Sequence, residues 1–195
     1  MIRWHTLDAI NENHMKSIRL GLIATLVALV LSVSVQLAWA AATDQSTQGP
    51  SPARLKIPAI GVDAAIESVG QTSAGAMDVP RNVKNVAWYN LGAVPGTPGN
   101  SVISGHYDDT KGPAVFYKLG KLKAGDRVVV VGGDQVERTF AVISVETHPY
   151  NKSPITRIFG FDLETDLNLI TCGGRFNKAT RNYSQRTVVY TRLVK

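Results

Sequence analysis

Leu167-Asn168-Leu169-Ile170-Thr171-Cys172-Gly173-Gly174 is an apolar run that ends in a thiol and two glycines. Its composition predicts a strand, and the glycines predict a break that leaves backbone amides free beside the sulfur. Cys172 is the only cysteine in 195 residues, so it has no partner for a disulfide within the chain. A thiol at the mouth of a strand, in a segment that reads as exported, is there for reactivity more often than for packing. The competing reading is a small buried hydrophobe.

Short β-prone runs surround this one, divided by turn chemistry. They cover residues 54–60, 64–69, 86–89, 101–106, 127–131, 136–145, 167–171 and 187–193. Gly132-Gly133-Asp134 between two of them is a hairpin signal. Helical patterns are brief, one or two turns at 113–119 and another at 153–159. Many short strands with few helices predict a mainly β domain, closed or nearly closed into a barrel.

The first 42 residues follow a different pattern. Lys16 and Arg19 precede an uncharged stretch at 20–35, and Ala38-Trp39-Ala40 supplies small residues for cleavage after Ala40. This is the order of a secretory signal. The apolar stretch at 20–42 also has the roughly 20 residues that a membrane span needs, so cleaved signal and retained anchor both stand as readings. The positive-inside rule puts Lys16 and Arg19 in the cytoplasm and the rest outside. Met15 is an alternative start. Residues 43–52 (TDQSTQGPSP) are polar and aperiodic and read as a flexible tether. The folded domain is expected over 53–195. The net charge of +6 is scattered, and the densest cluster, Lys118, Lys121 and Lys123, reads as a solvated turn rather than a nucleic-acid surface.

Elimination narrows the chemistry. Beyond residue 42 there is one cysteine and there are two histidines, His106 and His148, too few for a zinc site of Cys and His. Phosphate-loop, dinucleotide-binding and Gly-x-Ser-x-Gly patterns are absent. A Cys–His nucleophile pair is the economical option. His106 ends the run 101–106, and His148, before Pro149, reads as a surface loop histidine. Asp108 and Asp109 read as solvated turn residues, one of which could orient the imidazole. A free thiol has pKa near 8.5 and needs a base or cation beside it, while an oxyanion formed on an amide needs donors. Arg175, Arg181 and Arg186 follow the thiol and offer guanidinium groups for that purpose.

Together these residues resemble the sortases. The resemblance is carried by His106 at a strand end, by 169–172 (LITC), by an arginine before a final Val-Val-Tyr strand, and by the opening 55–62 (LKIPAIGV). The runs 172–176 (CGGRF) and 112–117 (GPAVFY) look most like the class F branch. The resemblance implies an eight-stranded sortase β-barrel with short helices and a membrane-side cysteine transpeptidase. Such enzymes cleave an LPXTG-type sorting signal between Thr and Gly through a thioacyl intermediate and pass it to an amine, usually on a peptidoglycan precursor. By the same resemblance Cys172 is the nucleophile and His106 the general acid/base, and Thr171 and Gly173 flank the thiol in contact with substrate. The arginine is Arg181, in the family-like context Thr180-Arg181-Asn182-Tyr183, with Arg186 at the start of the last strand as the alternative. Asn168 departs from the family's TLxTC motif, which has Thr there, and Ser104 stands where Ala is more usual. No metal or organic cofactor is expected. A hydrolytic thiol peptidase and a non-catalytic envelope-binding barrel are the competing classes. An L,D-transpeptidase would need His and Cys close together in sequence.

Overall fold

A computed structural model describes residues 50–194. The expected signal or anchor at 1–42, and most of the expected tether, lie outside the described residues. Eight strands close into a barrel. In chain order they are β1 (Pro52–Ile57), β2 (Val62–Val69), β3 (Val86–Tyr89), β4 (Gly99–Gly105), β7 (Arg127–Gly132), β8 (Glu137–Pro149), β9 (Thr165–Asn177) and β10 (Asn182–Leu193). Between β4 and β7, the two-residue strands β5 (Asp108–Asp109) and β6 (Gly112–Pro113) pair with each other outside the barrel. Around the barrel the order is β1-β2-β3-β4-β9-β10-β8-β7, with β7 paired back onto β1. The hairpin expected at 132–134 joins β7 to β8. Helix is limited to α1 (Ile155–Phe159) and two single 3-10 turns, Pro58–Ile60 and Leu119–Lys121. Among the described residues no helix is long and apolar enough to cross a membrane.

Alternation along each strand builds two apolar layers. Leu55, Ile57, Ile103, Phe140, Leu167, Leu169 and Val189 point inward and are buried with Phe116, which plugs one end. Each such aliphatic or aromatic side chain contributes about 1.5–3 kcal/mol on burial. Their neighbours Val102, Val188 and Tyr190 point outward, yet they too are buried, because α1 brings Ile158 and Phe159 over them.

The predicted break after Cys172 does not occur: β9 runs on to Asn177, paired with β10. The glycines are absorbed as a β-bulge. Pairing steps from Tyr183 opposite Phe176 to Gln185 opposite Gly173, so β9 carries one extra residue there. Gly174 takes φ +76° at that step, and a Cβ on it would lie 2.4 Å from Ser184 Oγ. A second glycine is fixed by space: a Cβ on Gly105 would lie 2.6 Å from the Phe116 ring.

Strand direction separates the two ends of the barrel. The C-terminal ends of β4 and β9 share one end with the N-terminal end of β10. The chain enters β1 at the other end, where Pro52 pairs with Gly132.

Candidate active site

Three adjacent strands bring the candidate residues into one row. β4 runs parallel to β9 with Ser104 opposite Ile170, and two further residues along that register put His106 alongside Cys172. On the other side of β9, antiparallel pairing sets Arg186 of β10 opposite Cys172. His148 of β8 lies opposite Arg186 in turn. Residues paired across strands share a face. Cys172 alternates with the inward Leu167 and Leu169, so the row lies on the outside of the barrel. His148 is thus a strand residue, 3.3 Å through Nε2 from Glu146 Oε2, and not the loop histidine that Pro149 suggested.

Hydrogen bonds hold the row in place. The Thr171 hydroxyl donates to the Gly105 carbonyl at 2.8 Å, fastening β9 to the last peptide before His106. Thr171 and Gly173 are both buried and alternate with Cys172. The Phe116 amide donates to the His106 carbonyl. His106 Nε2 lies 3.0 Å from the Pro80 carbonyl oxygen, which can only accept, so this nitrogen carries a proton and a neutral ring keeps its lone pair on Nδ1. The Arg186 guanidinium donates to Asn182 Oδ1 at 2.8 Å, to the Gln185 carbonyl at 2.9 Å and to the Tyr183 carbonyl at 3.3 Å. These partners are all neutral, so its charge remains available to the thiol. Arg181 sits elsewhere, exposed at φ +52° in the turn between β9 and β10. Arg175 is exposed on the bulge.

Burial pushes the Cys172 thiol up, Arg186 draws it back down, and the Asp108 carboxylate adds to the rise. The thiol is therefore protonated at neutral pH and needs a base to lose its proton. Asp108 is not a free turn residue. The Tyr183 hydroxyl donates to both its oxygens, at 2.5 and 2.6 Å. Burial, with that hydrogen bond behind it, pushes Tyr183 up to about 12, so it stays a donor throughout the physiological range. Tyr107 packs edge-on against the Tyr183 ring at 5.7 Å, and Phe176 packs against it at 5.0 Å.

The outward apolar layer continues the row: Ile170 is half-buried, and Val188, Val102 and Tyr190 beyond it are covered, with Met77, Tyr89 and Phe159 packed against them. Tyr89 and Phe159 meet edge to face at 5.5 Å. Asn168 explains itself here. Buried on the same face, it donates to the Ile158 carbonyl at 2.8 Å and to Asn100 Oδ1 at 3.1 Å, and Asn100 donates to the Gly160 carbonyl at 2.7 Å. The two asparagines pin α1 to the sheet. Arg157 adds a second clasp, with its guanidinium 3.7 Å from the centre of the Tyr190 ring and 2.9 Å from Glu146.

A partly buried thiol in register between an imidazole and a guanidinium on the outer face of the barrel can attack the carbonyl of a peptide. Among the described residues no group of three or more His, Cys, Asp or Glu is arranged to hold a metal ion.

The sequence model of the Sortase domain matches residues 55–194. Several solved structures share the fold. Sortase C-1 from Actinomyces oris aligns with a TM-score of 0.58 at 21% identity, over 73% of this chain and 71% of that one. A lid mutant of sortase A from Corynebacterium diphtheriae gives 0.57 at 20% identity, over 78% and 74%. Sortase A from Listeria monocytogenes gives 0.55 at 17%, over 75% and 89%. No curated protein matches the sequence.

Proposed function

The chain belongs to the sortase family, and from that premise we propose that it cleaves an LPXTG-type sorting signal through Cys172 and transfers the acyl fragment to a cell-wall amine. The observation that supports this most is the row His106, Cys172, Arg186, set in register across three neighbouring strands on the outer face of the barrel. The sorting signal approaches the thiol along this outer face, over the half-buried Ile170.

His106 accepts the thiol proton as Cys172 Sγ forms a bond to the scissile carbonyl carbon, giving a tetrahedral oxyanion. Arg186, the arginine in register with the thiol, faces that charge with fixed donors. Arg181, exposed in the hairpin turn, lies off the row. Collapse breaks the C–N bond, and the leaving amine takes the proton from His106, leaving a thioester on Cys172. The acceptor amine attacks the thioester, the C–S bond breaks, and the proton from that amine returns to the sulfur through His106. Thr171 acts by holding β9 against the His106 turn, and Gly173 by leaving room for Thr187 on the inner face, where a Cβ would lie 3.2 Å from its hydroxyl oxygen. No cofactor is required.

Residues 1–42 serve as a signal or anchor, 43–52 as tether and 53–195 as the catalytic barrel, working on the outer side of the membrane. Likeness to class F rests on the motifs around Cys172 and at 112–117.

The test is to mix the protein with an LPXTG-type peptide, with and without triglycine or hydroxylamine, and identify products by mass spectrometry. A Thr-linked amine adduct that is absent from Cys172→Ala is the expected result. Release of a free carboxylate alone, at every amine concentration, would reduce the activity to hydrolysis. Intact peptide would remove the proposal.

A further inference from the structure

A cavity of about 650 Å³ opens at the same end of the barrel as Cys172, beyond the His106 turn. One side is the turn between β1 and β2, with Ile60 and Asp63, and the other is the segment that follows His106, with Val115 and Tyr117. That segment is tied to the row by its backbone, since the Ala114 amide donates to the Tyr107 carbonyl and the Phe116 amide to that of His106. The reaction steps above make no use of this cavity.

Its charges are unequal. Lys84, Lys111 and Lys118 line it, and among the described residues none of the three ammonium groups meets a carboxylate or other side-chain acceptor. Of the two carboxylates on its wall, Asp63 is paired with Arg54, while Asp109 accepts only the neutral Lys111 backbone amide and keeps its charge. Three cations against that one uncompensated carboxylate leave the concave surface net positive, which favours an anion.

The cavity is linked to the strand that carries Arg186 by aromatic contacts. Tyr117 on its wall packs against Tyr107 at 4.8 Å, and Tyr107 meets Tyr183, three residues before Arg186 on β10, at 5.7 Å. The two separations put the Tyr117 and Tyr183 rings no more than about 10 Å apart, the length of roughly three extended residues. We propose that this cavity binds the carboxylate end of the acceptor, so that the preferred acceptor is a short peptide with a free amine and a carboxylate about three residues apart. The lysines hold the carboxylate while the amine crosses the Tyr107–Tyr117 ridge to the thioester. The proposal rests on the transpeptidase reading above.

Triglycine and triglycinamide share the same amine and differ in the carboxylate, so they are the probes. With an LPXTG-type peptide as donor, the KM for triglycine should be about tenfold below that for triglycinamide. In the variant Lys84→Ala/Lys111→Ala/Lys118→Ala the two values should converge. Equal KM values in the native protein would overturn the proposal, as would a preference that survives in the triple variant. Intact-mass measurement of the acyl-enzyme runs alongside. No acyl-enzyme in the native protein would overturn the transpeptidase reading and the acceptor site with it, whereas acyl-enzyme without carboxylate preference would overturn the acceptor site alone.

Discussion

Arg186→Ala removes the one charge that draws the Cys172 thiol down against burial, and it removes the donors facing the oxyanion. Turnover should fall by about 100-fold or more, as for loss of an oxyanion donor elsewhere, while Arg181→Ala, in the exposed turn, leaves it nearly unchanged. Initial rates on one peptide compare the two, and equal losses would displace Arg186 from its proposed role. The same charges set a pH dependence. Because burial raises the thiol, its alkylation by iodoacetamide should still be accelerating above the ordinary thiol value of about 8.5. Arg186→Ala should move that profile to higher pH. Asp108→Asn should move it lower, since the Asp108 carboxylate opposes the thiolate. Shifts in the same direction would contradict the electrostatics described. Cys172 and His106 were legible as residue types: one thiol and two histidines leave little choice. Which arginine joins their row was not legible, because three lie within fifteen positions of the thiol and strand register alone separates them. Asp108 was misleading for a similar reason, its partner Tyr183 being 75 positions away.

At the scale of elements, α1 is too short to persist by itself, and it depends on Asn168 and Asn100 for its place over the outer face of β4, β9 and β10. Asn168→Ala strands the Ile158 carbonyl and Asn100 in a buried setting, which should cost about 1–3 kcal/mol. Urea unfolding measures the loss, and an unchanged unfolding midpoint would contradict the role given to the two asparagines. Gly174→Ala sets a Cβ against Ser184 at φ +76° and should destabilise by about 1–3 kcal/mol. Strands were visible from their composition, but the bulge was not: two glycines after an apolar run look like a stop, and only β10 pairing shows that the ladder resumes beyond them.

For the whole molecule, the eight runs in the sequence correspond to the eight barrel strands, and the hairpin at 132–134 is where turn chemistry put it. Their neighbours were not readable. β4 lies beside β9, with Ser104 opposite Ile170 across 66 positions, and periodicity within a strand carries no information about its partner. That single pairing creates the site. If residues 1–42 export the chain, a membrane-impermeant maleimide added to intact cells should label Cys172, and labelling only after lysis would contradict the placement. The central claim is that Cys172 carries the acyl group, and the intact mass of the protein after mixing with an LPXTG-type peptide tests it most directly. A mass increase equal to the fragment through Thr, mapped to Cys172 and discharged by added amine, is what the account predicts. Peptide cleavage with no adduct on Cys172, or cleavage that persists in Cys172→Ala, would contradict it.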